Sequence, residues 1–354
     1  MLALNKLSVL LIEKNTYPFH RVCGEYISNE VKPFLESINC YPAKLFPSTI
    51  SQLEVTSPSG FILKSKLDMG GFGISRYAFD LFLKEKACEA GVTVVEGEQV
   101  YDVFEQYNIF NCKTLSQKQY KSKLVIGAQG KRSVIDKQLK RAFIQKKSPY
   151  IGVKYHVEIQ GEEHTIALHN FQNGYCGISK IENGKFCICY LTTRDNLKKH
   201  GSISKMEEAV LYKNPFLKKI FSEAKFLYNA PEVINEISFE TKSTHKNSLL
   251  FCGDAAGMIA PLCGNGMAMA IHSAKILSEA IIKHYTPESP SIPLIQEAYK
   301  KEWNKNFKLR LWTGRNIQKM FGENLLTEIS LRCLALLPFL KKWLIKKTHG
   351  KTIL

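Results

Sequence analysis

The sequence lacks the features that identify membrane-spanning proteins and proteins built around metal clusters. None of its stretches contains the roughly 18 uncharged apolar residues that a transmembrane helix requires. Its ten cysteines are scattered, with no C-x-x-C pair to indicate zinc or an iron–sulfur cluster, so we predict no metal site and a reducing cytoplasm. The N-terminal segment contains Lys6 and no small-residue cleavage site, so we do not expect it to be a signal peptide.

Acidic residues are also in short supply. Asp and Glu number 32 against 49 Lys and Arg, which gives a formal charge of +17. This excess favours an anionic partner such as a membrane surface, a nucleic acid or a phosphorylated ligand, although a basic cytosolic enzyme is an equal alternative. The hydrophobic content of 45% suits one large or two ordinary globular domains.

Apolar runs and helical patterns alternate in several parts of the chain. Residues 8–12 form a continuous apolar run that ends in Glu13, which predicts a buried parallel strand. Residues 77–90 have one apolar helical face, and Gly91 ends that helix. Further buried strands are predicted at 92–95, 124–126 and 248–252. Alternating strands and helices indicate an α/β sheet.

Antiparallel strands are predicted between these α/β segments. Residues 50–65 alternate around a Ser-Pro-Ser-Gly turn, and residues 150–193 predict several strands with a tight turn at Asn183 and Gly184. After Pro287 the chain is predicted to be helical. The fold class is therefore α/β, or α+β overall, with an inserted antiparallel sheet and a helical C-terminus.

The strongest local pattern is a strand that delivers Gly253 and Asp254, then a glycine-rich bend with Gly264 and Gly266 that opens a helix. An aspartate at a strand end accepts hydrogen bonds from polyol hydroxyls. Backbone amides at a helix N-terminus face negative charge, such as that of a reduced flavin. Each half alone could equally be an ordinary turn or helix entry.

This stretch resembles the third FAD fingerprint of the p-hydroxybenzoate hydroxylase-like flavoproteins. Gly253, Asp254, Pro261, Gly264 and Gly266 match the family's pattern. The resemblance implies that Asp254 binds the ribityl chain of FAD. It also implies that the backbone of Gly264, Asn265 and Gly266 lies along the isoalloxazine ring.

Two further residues match the same family. The strand before Glu13 resembles the second strand of its dinucleotide fold, so Glu13 would hold the adenosine ribose hydroxyls. The segment 73–83 is similar to the one in which an arginine at a helix start contacts the FAD diphosphate, which implies that role for Arg76. A solvated glutamate and a surface cation are the alternatives.

Residues 125–133 resemble the family's second fingerprint, so Ala128 and Gly130 are predicted to contact the cofactor. Many members have aspartate where this chain has Gln129. This difference removes a charge near the diphosphate and leaves the use of a nicotinamide donor open.

The segment 20–26 looks like a loop of the geranylgeranyl reductases, in which an arginine precedes Cys-Gly and the chain passes close to the flavin. Arg21, Cys23 and Gly24 are therefore predicted to lie at the flavin, with Cys23 the one catalytic candidate. A buried small hydrophobe is the alternative for Cys23.

The family's first fingerprint, G-x-G-x-x-G, is expected roughly 20 to 30 residues before the position of Glu13. The chain before Glu13 is too short to contain it. A misassigned start codon is the preferred explanation, and a real truncation is the alternative.

The resemblance covers most of the chain and implies a split FAD-binding Rossmann-like domain that lacks its first strand. This domain is predicted to comprise residues 1–50, 76–145 and 241–285. A substrate-binding β domain is predicted at 51–75 and 146–240, and a helical region at 286–354.

FAD would perform the redox step, so no side-chain base is assigned. We predict an FAD-dependent oxidoreductase that reduces double bonds of a prenyl or other hydrophobic substrate, with NAD(P)H or another reductant as electron donor. The alternatives are a flavin monooxygenase acting on an aromatic or polyketide-like compound, and a non-catalytic remnant.

The C-terminal segment 331–354 interleaves apolar residues and Trp343 with lysines. Such a segment suits an anionic membrane surface, and a core-packed helix with a basic edge is the alternative. The predicted partners are a hydrophobic or lipid substrate and a peripheral contact at the inner membrane face of the cytoplasm, with no nucleic acid.

Overall fold

The computed structural model describes residues 1–260, 262, 264–286, 290–320 and 323–354. Its strands are β1 (Leu10–Glu13), β2 (Tyr26–Ser28), β3 (Ser48–Thr56), β4 (Ile62–Gly73), β5 (Thr93–Glu96), β6 (Val100–Gln106), β7 (Ile109–Thr114), β8 (Gln119–Ser122), β9 (Ile126–Gly127), β10 (Tyr150–Glu158), β11 (Thr165–Phe171), β12 (Gly174–Lys180), β13 (Phe186–Thr193), β14 (Lys225–Phe226), β15 (Glu232–Asn235), β16 (His245–Lys246) and β17 (Leu249–Phe251).

Its α-helices are α1 (Lys32–Ser37), α2 (Arg76–Glu89), α3 (Val134–Gln138), α4 (Arg194–His200), α5 (Ile203–Val210), α6 (Pro215–Glu223), α7 (Gly266–His284), α8 (Ile292–Met320), α9 (Asn324–Leu336) and α10 (Pro338–Thr348). The mixture of helices and strands and the helical C-terminus confirm the predicted fold class.

Most strands belong to one nine-stranded sheet, called the large sheet below. Its order is β14-β10-β13-β12-β11-β3-β4-β2, with β15 also paired to β10. β3 and β4 form the predicted hairpin, and β10 to β13 are joined by antiparallel pairs. The turn between β12 and β13 contains Asn183 and Gly184, both at positive φ, as the Asn-Gly pair predicts.

Three smaller sheets complete the fold, of which β6-β7-β8 is antiparallel and the other two each contain a parallel pair. β1 pairs with β5, and β17 pairs with β9 and β16. β1 was predicted to be buried, and this was wrong, because Leu10 and Leu11 are 41% and 37% exposed. β5 is the one strand that pairs with β1 in the described part of the chain, so its other edge has no ladder partner there. By contrast, β17 is buried at Leu249, Leu250 and Phe251.

Helix α2 connects the parallel part to the large sheet. It begins at Arg76 because the hydroxyl of Ser75 accepts a hydrogen bond from the Ala78 amide at 3.1 Å. It ends just before Gly91, whose φ of +88° suits glycine. Its Phe79 packs against Phe72 of β4, which fixes the position of Arg76 relative to that strand.

The C-terminal helices cover two different surfaces. α8 packs on α7 through a core that includes Tyr299, Trp303 and Phe307. α9 and α10 then lie against the large sheet, where Leu331 packs with Val55 and Leu63. The chain after α10 returns to the turn just before α1, because the Ile353 amide donates to the Glu30 carbonyl at 2.9 Å.

Within the described residues, no helix has the length and apolar character needed to cross a membrane.

Candidate FAD-binding site

Three predicted site residues, Glu13, Arg21 and Arg76, belong to one chain of charged groups. Arg21 Nη2 lies 3.0 Å from Glu13 Oε2, and Arg21 Nε lies 3.3 Å from Asp80 Oδ2. Arg76 binds Asp80 through two bonds of 2.7 and 2.6 Å. Asp80 was not predicted as a site residue, although its position four residues after Arg76 on α2 was a usable signal.

Glu13 lies at the carboxyl end of β1, and its role in binding ribose stays a prediction. Its Oε1 already accepts hydrogen bonds from the backbone and side-chain nitrogens of Asn15, at 3.1 and 3.2 Å. Arg21 binds its other oxygen. Ribose hydroxyls would therefore share this carboxylate with protein donors.

Arg76 remains a cation at the start of α2. Burial opposes its charge, but Asp80 outweighs burial and holds the pKa of Arg76 above its usual value, with smaller contributions from Cys23 and Asp254. A fixed guanidinium at a helix N-terminus is suited to a diphosphate.

Asp254 follows β17 and has unused hydrogen-bonding capacity. The amide of the preceding Gly253, at φ +57°, donates to Ser273 Oγ of α7 at 2.7 Å and fixes the turn. No donor among the described residues reaches the Asp254 carboxylate. Burial raises the pKa of Asp254, and the charges of Lys242 and Arg76 partly oppose this. The carboxylate can thus accept hydrogen bonds from the ribityl chain.

Two lysines that were not predicted as site residues, Lys131 and Lys242, lie close to Asp254. Lys242 Nζ donates to the carbonyls of Lys131 and Asp254, at 2.6 and 2.7 Å. Burial lowers the pKa of both Lys131 and Lys242 to about 8. No sequence motif marks Lys242, which lies in the segment between β15 and β16.

The turn after β9 exposes its backbone as the second fingerprint predicts. Ala128 is exposed, and Gly130 has φ +77° with open space where a side chain would begin. Gln129 points inward instead, with its Nε2 donating to Asp136 Oδ1 at 3.2 Å. Asp136 is fully buried and bound by Arg141 at 2.8 Å. An acid at position 129 would face another acid.

The Gly264 to Gly266 bend leads directly into α7. Gly264 has φ +61°, and a side chain there would begin 3.5 Å from the Tyr26 ring. The Asn265 side chain is buried and turned away, donating to Glu30 Oε2 at 3.1 Å and to the Thr348 carbonyl at 3.2 Å. Backbone is therefore what this bend offers to a ligand, and the contact of residues 264–266 with a flavin stays a prediction. Pro261 lies outside the described residues.

Cys23 makes the contact between the loop at residues 20–26 and helix α7. Its Sγ lies 3.4 Å from Met267 Sδ and accepts from the Glu25 amide at 3.4 Å. Burial raises the pKa of Cys23, so it is a neutral thiol rather than a thiolate nucleophile. Beside it, Gly24 has open space where a Cβ would lie. The predicted residues of this loop and of the glycine-rich bend therefore meet.

A buried cluster beside Cys23 was not predicted. Glu25 contacts Lys154 and His156 of β10, each at 2.5 Å, and all three are buried. Lys154 and His156 are two residues apart on one strand and so share a face, which was a usable signal. Lys154 and His156 are 129 and 131 residues away from Glu25 in the sequence. A contact between residues so far apart cannot be predicted from the spacing of residues in the chain.

Comparison with known proteins identifies the fold. The structure superposes on a flavin-dependent brominase, Bmp2, with TM-score 0.78 at 18% identity over 98% of this chain and 89% of the other. It also superposes on halogenase PltM in complex with phloroglucinol and FAD, with TM-score 0.75 at 15% identity over 97% and 79%. No family model matches the chain. The chain therefore has the fold of these flavin-dependent enzymes.

In sequence the chain is similar to reductases of a digeranylgeranyl lipid, as the loop at residues 20–26 predicts. A digeranylgeranylglycerophospholipid reductase of Methanosarcina acetivorans is 26% identical in an alignment 328 positions long, which covers 84% of this chain and 75% of the relative. A protein of the same name from Methanococcus vannielii is 26% identical in an alignment of 326 positions, which covers 85% of this chain and 77% of the relative. The neighbour PltM was solved with FAD, and the open backbone at Gly24 and Gly130 and the free Asp254 carboxylate of this chain fit such a cofactor.

Proposed function

We propose that the protein uses FAD to reduce carbon–carbon double bonds in a prenyl or similarly apolar chain. The observation that carries this proposal is an apolar layer between the large sheet and the C-terminal helices, which begins at the glycine-rich bend. Gly264 borders Tyr26 and Ile166, and these two pack with Ile345 of α10. An apolar substrate entering this layer would approach the predicted flavin position.

The layer continues away from Gly264 as two further small apolar clusters. One joins Val55, Leu63 and Leu331, and the other contains Tyr175, Leu191 and Met258. Separate small clusters between a sheet and helices can open more easily than one continuous core, because fewer contacts are lost. The names of the sequence relatives, which are reductases of a digeranylgeranyl lipid, support a substrate of this class.

The chain's own residues would hold FAD along one path. Glu13 would bind the adenosine ribose, Arg76 the diphosphate and Asp254 the ribityl chain, while backbone at 264–266 borders the ring system. When bound, FAD supplies hydride transfer. NAD(P)H or another reduced donor would supply the electrons.

Flavin retention tests the cofactor assignment. We expect Asp254→Asn to weaken FAD affinity about 10-fold, because a carboxylate accepts stronger hydrogen bonds than an amide. Titration with flavin fluorescence measures this, with the exposed Asp195→Asn as control. Equal affinity in the two variants would contradict the role of Asp254, and no flavin binding by the unmodified protein would favour the non-catalytic remnant.

Product analysis tests the reaction. Dithionite-reduced protein, incubated without oxygen with a geranylgeranyl lipid, is expected to give product heavier by two hydrogens per reduced bond in mass spectrometry. The second candidate, a flavin monooxygenase, is favoured by the fold similarity to flavin-dependent brominases and halogenases. Oxygen-dependent hydroxylated product alone would replace the first proposal with the second.

We also propose that α9 and α10 contact an anionic membrane surface from the cytoplasmic side. Leu336 and Phe339 at their junction are 81% and 83% exposed, and Trp343 is 46% exposed. Lys342 and Lys346 are exposed on the same helix as Trp343. Exposed aromatic and aliphatic groups flanked by lysines match an interface rich in acidic headgroups.

Vesicle sedimentation tests this contact. Phosphatidylglycerol vesicles are expected to bind the protein more tightly than neutral phosphatidylcholine vesicles. The double variant Phe339→Ser, Trp343→Ser should bind about 10-fold more weakly, because it lacks the two rings that would be buried in the membrane interface. Phe46, which is 81% exposed elsewhere, provides the control Phe46→Ser. Equal loss in both variants would contradict this surface.

A further inference from the structure

A row of hydrogen-bonded side chains leads from a surface cavity to the loop that carries Cys23. The cavity has a volume of about 270 Å³ and is lined by His20, Tyr77, His156 and Tyr228 among others. His20 Nδ1 lies 2.9 Å from Tyr228 Oη, which lies 2.7 Å from His156 Nδ1. His156 Nε2 lies 2.5 Å from Glu25 Oε2. Four titratable groups are thus connected without a break.

The inner end of the row is a carboxylate held in one place. Glu25 is fully buried at a φ of +54°, and its Oε1 accepts from the Arg76 amide at 2.8 Å and from Lys154. Burial opposes its ionisation, but the His156 hydrogen bond and the Lys154 charge keep the pKa of Glu25 below its usual value. Glu25 is therefore an acceptor only, and His156 Nε2 must donate to it.

This assignment fixes the direction of the remaining bonds. A neutral His156 that donates from Nε2 accepts at Nδ1, so the Tyr228 hydroxyl donates to it. The Tyr228 oxygen then accepts from the Nδ1–H of His20. Burial raises the pKa of Tyr228, which keeps its proton in place for this bond. All three donors consequently point from the cavity toward Glu25.

A metal ion is a poorer explanation of the same atoms. Ligand atoms of Glu25, His156 and Cys187 lie within 4.8 Å of one another. The Lys154 ammonium already occupies the Glu25 carboxylate, so a divalent cation would have to displace a buried positive charge. Burial also raises the pKa of Cys187 well above its usual value, and a neutral thiol is a weak ligand.

We propose that His20, Tyr228, His156 and Glu25 form a proton relay that supplies the Cys23 end of the FAD site. The relay rests on the proposed reductase function, because saturating one double bond consumes one hydride and one proton. Reduced FAD provides the hydride and is oxidised, with NAD(P)H or another reduced donor restoring it. The proton enters from solvent through the cavity.

The transfer balances at every atom. His20 Nε2 takes a proton from solvent as its Nδ1 releases one to Tyr228 Oη. Tyr228 passes its own proton to His156 Nδ1, and His156 Nε2 passes one to Glu25. Neutral Glu25 leaves Lys154 without its counter-charge, so this state is short-lived. Glu25 releases the proton to the double-bond carbon that does not receive the hydride, and this restores the carboxylate. Reorientation of the two imidazoles and the hydroxyl restores the row.

The first test needs neither cofactor nor substrate. In ¹⁵N-labelled protein, histidine NMR should show His156 as the Nε2–H tautomer and His20 as the Nδ1–H tautomer at neutral pH. Tyr228→Phe should return His20 to the Nε2–H tautomer usual in water. Tyr155→Phe is the matched control. Tyr155 lies on the same strand as His156, and this variant removes the hydrogen bond from its phenol to Glu207 of α5. An Nδ1–H His156, or no change at His20 in Tyr228→Phe, overturns the relay.

The second test uses the FAD-loaded protein. Tyr228→Phe should slow formation of saturated product about 10-fold or more and enlarge its solvent deuterium isotope effect, with flavin content unchanged. Tyr155→Phe should change neither. Equal rates and isotope effects in Tyr228→Phe and the unmodified protein overturn the relay. Absence of saturated product from the unmodified protein would contradict the reductase function. The histidine NMR measurement would then still show whether the hydrogen bonds from His20 to Glu25 run in the proposed direction.

Discussion

The large sheet and the β1–β5 pair bury their apolar residues to very different degrees. Ile188 and Val153 in the centre of the large sheet are fully buried, whereas Leu10 and Leu11 of β1 are 41% and 37% exposed. α5 and α6 cover one face of the large sheet and α9 and α10 the other. An apolar run therefore shows that a segment can be buried, but the neighbouring elements decide whether it is.

The two regions also hold their charges differently. Around β1, Arg21 and Glu13 form an ion pair with 35% and 17% of their side chains exposed. Under the large sheet, Lys154 and Glu25 are both fully buried. Solvent weakens the first pair, while the second persists only because each charge compensates the other. Substitutions should expose this contrast.

The largest effect is expected at the buried pair. Lys154→Met leaves the Glu25 carboxylate buried without its cation and should lower the free energy of unfolding by about 3–5 kcal/mol. Urea denaturation measures the loss. Arg21→Met is the comparison from the other region and should cost less than about 1 kcal/mol. Similar losses in the two variants would show that the buried and exposed pairs are not distinct.

Apolar truncation should separate the regions next. Ile188→Ala empties space in a packed core and should cost about 2–5 kcal/mol. Leu11→Ala removes a side chain that solvent already reaches and should cost less than about 1 kcal/mol. The same denaturation experiment measures both. If Leu11→Ala proved as costly as Ile188→Ala, β1 would be covered in solution.

Acid should affect the large sheet and α7 through buried histidines, whereas the described part of the β1–β5 pair contains none. Burial lowers the pKa of His169 in the large sheet and of His272 in α7 to about 4. The unfolded chain binds protons at higher pH than the folded one, so stability falls as pH drops from about 6.5 toward 4. Each histidine should cost about 2 kcal/mol between pH 7 and 5. His169→Asn and His272→Asn should each flatten this dependence, and an unchanged slope would contradict the cause.

The sequence predicted what depends on local pattern. Alternation located β10 to β13, Asn183 and Gly184 located their turn, and Gly91 located the end of α2. It could not show that Asn265 turns toward Glu30, or that Lys154 pairs with Glu25, because these contacts join segments far apart in the chain. The roles of Glu13, Arg76 and Asp254 in binding FAD stay predictions, although the structure brings Arg76, Asp254 and Cys23 near one another.

The smallest effect concerns the one residue that departs from the family's second fingerprint. Gln129 binds the buried Asp136, which Arg141 already neutralises. Gln129→Asp would place a second carboxylate beside Asp136 and should cost about 1 kcal/mol of unfolding free energy. Gln129→Asn, which keeps the amide, controls for side-chain length. A neutral or stabilising Gln129→Asp would mean that position 129 faces solvent or a bound cation, and the turn after β9 would then resemble the family's usual arrangement more closely than the structure shows.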